Sequence, residues 1–340
     1  PERLFYKLTD TKIKIPDVIA ETAKARKQRA KPYGGNLLII AADHPARYVT
    51  SVGDDPFAMG DRQQYLGRIV RTLIDDRVDG IMATPDIFDD LFILEHMIFE
   101  AGGKSLLNNK ILIGCTNRSG LSGSAYEMDD KTTAYTPKEI ADFHLDGAKM
   151  MFRLDMDTSQ ARYSQTTLVE CSNIVRKCGE YDITAYVEPL PVERVDNRYK
   201  VKLTYGDLIK TIGVATAIGG NATSKIWLKV PYVDNFEQVA RSTSNPILLL
   251  GGDSTGNPTD TIINFEKGLG AGANIRGALV GRNLLYPGHD DPLATTVAIS
   301  KIVHDYGTAE EAVQFLRTQR GTRMDYLTSL LLKDEKTPSA

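Results

Sequence analysis

The chain has 340 residues, 42% of them apolar and 25% charged, and Lys+Arg 41 against Asp+Glu 44 leaves a formal net charge of −3. This composition excludes an intrinsically disordered chain, and the balanced charge offers no basic footprint for nucleic acid. No apolar run approaches the roughly 18 residues that span a bilayer, and the N-terminal stretch lacks a signal-peptide layout. Cys115, Cys171 and Cys178 are too few and too irregularly spaced for a disulfide framework or a zinc site. The expectation is a reduced, cytoplasmic protein with no membrane partner.

Residues 1–35 are polar and basic, with Lys24, Arg26, Lys27, Arg29 and Lys31 close together. A solvated helix face explains this run more simply than an anion-binding arm does. Short apolar runs then alternate with amphipathic stretches. The predicted strands are 36–42, 80–84, 111–115, 148–154, 183–188, 226–230, 247–250 and 278–280. The predicted helices between them include 62–76, where Tyr65, Ile69, Val70, Leu73 and Ile74 form a stripe, and 137–145, 166–178 and 259–270. Strands separated by helices imply βαβ units and a parallel sheet. Eight units point to a closed (β/α)8 barrel, the TIM barrel, within one α/β domain. The turn after the first strand, Ala42-Asp43-His44-Pro45, has none of the glycines that open a dinucleotide-binding sheet. The chain divides into an N-terminal helical extension (1–35), the barrel (36–310) and a C-terminal helix and tail (311–340), frayed at 333–340. The charged loop at 190–201 is long enough to act as a lid or a contact surface.

Chemistry in such a barrel collects at the C-terminal ends of the strands. Those ends carry Asp43-His44, Lys149 with Arg153, Glu188, Lys229, Gly251-Gly252-Asp253 and Gly281-Arg282-Asn283. Lys149 and Lys229 interrupt apolar strands covered on both faces, and lysine is rarely buried without a partner. A buried amine tends to shed its charge, and a neutral amine attacks carbonyls. Two converging lysines repel each other's protons. Bringing a lysine from about 10.4 to about 7 corresponds to roughly 4–5 kcal/mol. The plainer alternative is an ion pair with Glu188. Glu188 itself reads either as that neutralising partner or as a proton shuttle with a raised pKa. Asp43 is placed to hold a lysine or substrate hydroxyls, and His44 is either a substrate contact or a satisfied loop histidine. Gly251, Gly252, Gly281 and Arg282 fit the phosphate end of a barrel, where freed amides and a charged fork meet an anion. The five histidines form no metal cluster: only His44 is placed at a strand end, so neither a metal nor an organic cofactor is expected.

These residues resemble a known pattern. Leu228-Lys229-Val230-Pro231 is similar to the Schiff-base segment of class I aldolases in the superfamily of deoxyribose-phosphate, tagatose-bisphosphate and bacterial or archaeal fructose-bisphosphate aldolases. Asp43-His44, Ala148-Lys149-Met150-Met151, Val187-Glu188 and Gly281-Arg282-Asn283 resemble its other motifs, in the same order over residues 36–305. The chain also resembles an actinobacterial-type subgroup of these barrels, sometimes found among inositol-catabolism genes. His44 stands where the tagatose branch has glutamine, Arg153 adds a cation, and 117–136 is long and polar.

The resemblance implies an aldehyde-lyase acting on a phosphorylated ketose or deoxy-keto sugar acid and releasing dihydroxyacetone phosphate. Lys229 is then the Schiff-base lysine, with Glu188, Lys149 and Asp43 as catalytic partners. His44, Arg153, Gly251, Gly252, Gly281 and Arg282 bind substrate. Transaldolase- or thiolase-like transfer and a non-catalytic sugar-phosphate regulator are the alternatives. The expected partner is a small sugar phosphate, and a homo-oligomer is compatible with the long loops.

Overall fold

The computed structural model describes residues 2–332 apart from 158, 160 and 255, so the tail at 333–340 lies outside the described residues. Eight strands form a closed parallel barrel: β1 (Leu37–Ala42), β2 (Gly80–Ala83), β3 (Ile111–Cys115), β4 (Gly147–Leu154), β5 (Thr184–Val195), then β7 (Ile226–Pro231), β8 (Ile247–Leu250) and β9 (Ile275–Val280). β1 pairs with β9 and β4 pairs with β5, which closes the ring. Between β5 and β7 the chain inserts β6 (Arg198–Val201), which pairs antiparallel with the outer end of β5. All eight predicted barrel strands are present.

Two faces of each strand explain the core. One set of side chains, including Leu38, Ile40, Ile81 and Val230, packs outward against the helices. The alternate set, including Leu37, Ile39, Ala41, Ile113, Cys115, Tyr186, Leu248 and Leu279, fills the barrel interior, with Trp227 packed against it. Strand side chains alternate with a period of two. The interior set therefore continues through Ala41 to Asp43, through Tyr186 to Glu188 and through Trp227 to Lys229. The period that builds the apolar floor also delivers charged groups to the upper end of the same face.

Three expectations need correction. β5 does not stop at Glu188. It runs to Val195 and turns back through Asp196 and Asn197, whose φ values of 50° and 61° suit a two-residue hairpin turn. The 190–201 segment is thus mostly a β-hairpin, seated on Met128, Met151 and Tyr163 by Leu190, Val192 and Tyr199. β9 starts at Ile275, before the predicted residue, because Gly277 at φ 116° lets the strand pass β1, where a Cβ would meet the Leu37 carbonyl oxygen at 2.0 Å.

The basic N-terminal run is divided: Lys24, Lys27 and Lys31 are exposed, as a solvated face requires, while Arg26 is buried and Arg29 half-buried. After helices Glu2–Lys14 and Val18–Ala25, Arg26 turns under the barrel with its side chain 1% exposed. It pairs with Asp146 at 2.9 Å and donates to the Lys110 carbonyl at 3.0 Å. Arg29 pairs with Asp79 at 2.6 Å, and Asp79 in turn accepts the Leu38 N–H at 2.7 Å. The extension clamps the N-terminal end of the barrel. Helices Ala309–Gln319 and Tyr326–Leu331 complete the C-terminal part.

Candidate active site

Four strands bring the predicted catalytic residues together. Lys149 from β4 lies 2.6 Å from Glu188 Oε2, and Lys229 from β7 donates to the same oxygen at 3.1 Å. Asp43, just past β1, has Oδ2 at 3.8 Å from the Lys149 amine. All four are buried, Lys149 at 1% exposure and Lys229 at 7%. Above them opens a cavity of about 760 Å³, with Glu188 in its wall.

The charges set each other's protonation. Burial works to raise the Glu188 carboxyl, but Lys149 and then Lys229 outweigh it and hold the pKa at about 2. The expected raised pKa of Glu188 is therefore not met: two amines at hydrogen-bond range overcome the loss of water. Burial lowers Lys149 to about 8, with Arg118 and Lys229 adding to the fall and Glu188 and Asp43 opposing it. Asp43 is held well below the usual carboxylate range, since Arg118 and Lys149 together outweigh its burial. Burial lowers His44 to about 4, so its ring is neutral near pH 7.

Sequence reasoning missed Arg118. Its guanidinium, 4% exposed, pairs directly with Asp43 Oδ2 and lies 2.6 Å from the Cys115 sulfur. It stands on the polar segment after β3, which is stitched into place. Asn117 donates to the Met151 carbonyl at 2.6 Å and accepts its N–H at 3.0 Å. Arg47 pairs with Asp130 at 2.6 Å and donates to the Asn117 carbonyl at 2.9 Å. No periodicity marks such a residue; its signal is an arginine three positions past a strand end.

Five of the six predicted substrate-binding residues, all but Gly281, line the cavity. His44 packs on Gly281, where an added Cβ would meet its Cε1 at 2.4 Å. Gly251, Gly252 and Arg282 share the wall near it, and Asn283 donates to the Gly251 carbonyl at 2.6 Å. The guanidinium of Arg282 pairs with Asp253, whose side chain is 84% exposed, and its Nε is buried without a partner. Arg153 reaches another part of the wall, donating to the Glu127 carbonyl at 2.9 Å and facing its carboxylate at 3.5 Å. The hairpin contributes Leu190, Val192, Tyr199 and Lys200 to the same cavity. Gly281 is set apart: it supports His44 rather than lining the wall.

The fold is a closed (β/α)8 barrel that carries two lysines and a carboxylate at its strand ends. A Schiff-base-forming fructose-1,6-bisphosphate aldolase shares that fold at a TM-score of 0.55 and 19% identity, over 84% of this chain and all of the other. The chain itself belongs to the Cgl0159-like family, whose sequence profile matches residues 35–300. The crystal structure of Cgl0159 from Corynebacterium glutamicum is 33% identical, with a TM-score of 0.82, over 90% of this chain and 99% of that one. A 2-amino-3,7-dideoxy-D-threo-hept-6-ulosonate synthase of Archaeoglobus fulgidus is 32% identical over 106 residues, which is 38% of that protein and 31% of this chain. Among the described residues, no helix is long and apolar enough to cross a membrane.

Proposed function

We propose that the protein is a class I aldolase that makes or breaks a carbon–carbon bond in a phosphorylated ketose or deoxy-keto sugar acid. The observation that carries this reading is the shared Glu188 oxygen, which gathers Lys149 and Lys229 at the foot of the cavity. Lys229 is the more open of the two amines, and its nitrogen attacks the substrate carbonyl carbon. The carbonyl oxygen takes one proton from the attacking amine and a second from Lys149 and leaves as water, which gives an iminium. The iminium draws in the electron pair of the neighbouring C3–C4 bond as the C4 hydroxyl gives its proton to the now neutral Lys149. An aldehyde departs and an enamine remains. Protonation and hydrolysis release dihydroxyacetone phosphate and restore Lys229.

Glu188 stays ionised through this sequence and holds the two amines in place, because its low pKa unfits it as an acid near neutral pH. Asp43 is likewise a fixed carboxylate that accepts from substrate hydroxyls. Arg282 exchanges its exposed partner Asp253 for the substrate phosphate, with Gly251, Gly252 and His44 beside it. A phosphate gripped away from the reacting carbon contributes positioning to the chemical step. Arg153 meets the other end of the substrate.

A second reading, condensation or fragment transfer, is favoured by the partial match to a heptulosonate synthase. Incubation with a panel of ketose phosphates, with and without added aldehydes, separates the two. Release of dihydroxyacetone phosphate supports cleavage, and new condensation products supports transfer. A folded protein that does neither overturns the proposal.

A further inference from the structure

We infer that Arg118 is a positioning residue for the lysine pair: by engaging Asp43 it leaves Glu188 to serve both amines, so that Lys149 can pass a proton to the reacting centre. The inference rests on the aldolase reading of this site. Three basic side chains, Lys149, Lys229 and Arg118, face two carboxylates, Asp43 and Glu188. Arg118 contacts Asp43 Oδ2 directly, whereas Lys149 stands 3.8 Å from the same oxygen. Without the guanidinium, two amines would face two carboxylates and each ammonium would have its own counter-ion. With it, one carboxylate is shared and a positive charge is left in excess. Such a cluster favours loss of a proton and the approach of an anion.

Arg118 is buried behind Asp43, which it pairs with, so it acts through its neighbours. It is fixed by its own surroundings. Nη1 donates to the Asn117 carbonyl at 2.9 Å, and the Asn117 amide is clamped to β4 by the two Met151 bonds. β4 is the strand that carries Lys149, so the arginine and the lysine it influences are tied to one framework. The other titratable groups facing this cluster are Asp130, which acts on Arg118 and is itself paired with Arg47, the thiols of Cys115 and Cys171, the neutral imidazole of His44, the Tyr65 phenol and, beyond His44, Arg282. Burial raises the Cys115, Cys171 and Tyr65 groups, which keeps them uncharged near neutral pH. Arg118 is thus the cation whose removal changes the balance at Lys149 without touching the substrate surface.

The test is a carbon-13 NMR titration of the lysine Cε signals in the whole protein, with Lys149 assigned from its loss in Lys149→Met. In Arg118→Met the Lys149 midpoint is expected to rise by about one pH unit or more. Arg118→Lys, which restores the charge, returns it towards wild type, and so does the double variant Arg118→Met/Asp43→Asn. A midpoint unmoved in Arg118→Met, or one that the double variant fails to bring back, overturns the inference. Should Arg118→Met not fold, Asp43→Asn alone carries the test: its Lys149 midpoint falls, and an unchanged one is contrary. The titration needs no turnover, so its failure is distinct from failure of the aldolase reading, which substrate trapping examines.

Discussion

Lys149 and Lys229 converge on one oxygen of Glu188, at 2.6 Å and 3.1 Å. They arrive from strands on opposite sides of β5, and neither is held by a carboxylate of its own at that range. A purely structural ion pair needs one cation and one anion. The second amine is the feature that asks for chemistry, and the cavity above Glu188 gives it somewhere to act.

The protonation pattern predicts two pH responses. As the proton donor, Lys149 should produce an alkaline limb in the rate profile near pH 8. Lys149→Arg, which stays charged, should flatten that limb and lower kcat by about tenfold or more. Stability should respond at the acid end. The Glu188 carboxyl is depressed from 4.5 to about 2, so its contribution is complete above about pH 4.5 and is lost as the pH falls towards 2. Urea unfolding across that window should show a smaller loss in Glu188→Gln than in wild type. The depressed Lys149 pKa gives a slope of the same sign in an alkaline window. Between about pH 8 and 10.5 the unfolded chain binds more protons, so stability rises with pH there.

Arg282→Ala should raise KM for phosphorylated substrates by about tenfold or more, with a smaller change in kcat, because a charge-assisted contact to phosphate is lost. Steady-state kinetics with phosphorylated and unphosphorylated forms of one substrate check this. An equal effect on both forms would remove the phosphate assignment.

Gly281→Ala tests the seat of His44. The new methyl would meet His44 Cε1 at 2.4 Å and the Ala41 carbonyl oxygen at 2.9 Å. Overpacking of this kind costs about 1–3 kcal/mol. The ring must move out into the cavity, so a lowered Tm should accompany weaker substrate binding.

Arg26→Leu should destabilise the protein by about 3–5 kcal/mol, since it strands the buried Asp146 carboxylate. Denaturant titration measures the loss. The site lies at the other end of the barrel, so kcat at a temperature where the variant is folded should stay near wild type.

The barrel was legible because each strand that builds it contains a short apolar run, and a lysine inside such a run stands out. Asp43, Lys149, Glu188 and Lys229 were all named from strand position, and the structure brings them together. The protonation of Glu188 was not legible, since it depends on two distances across three strands. Arg118 was hidden because a polar loop shows no period, and its burial comes from its contact with Asp43 and from the Asn117 clamp beside it. The hairpin was obscured by Pro189 and Pro191, which argue against a strand, although both sit in β5. In the N-terminal run, composition suggested exposure, while the pairing of Arg26 with Asp146 is a contact across 120 positions of sequence.

Borohydride trapping tests the central claim most directly. The protein is incubated with dihydroxyacetone phosphate, reduced with sodium borohydride and digested, and the modified peptide is located by mass spectrometry. The account predicts one covalent adduct, on Lys229, absent from Lys229→Ala. An adduct on Lys149 alone would reverse the roles of the two lysines. No adduct with this compound or with a panel of ketose phosphates, on a folded protein, would contradict Schiff-base chemistry at this site.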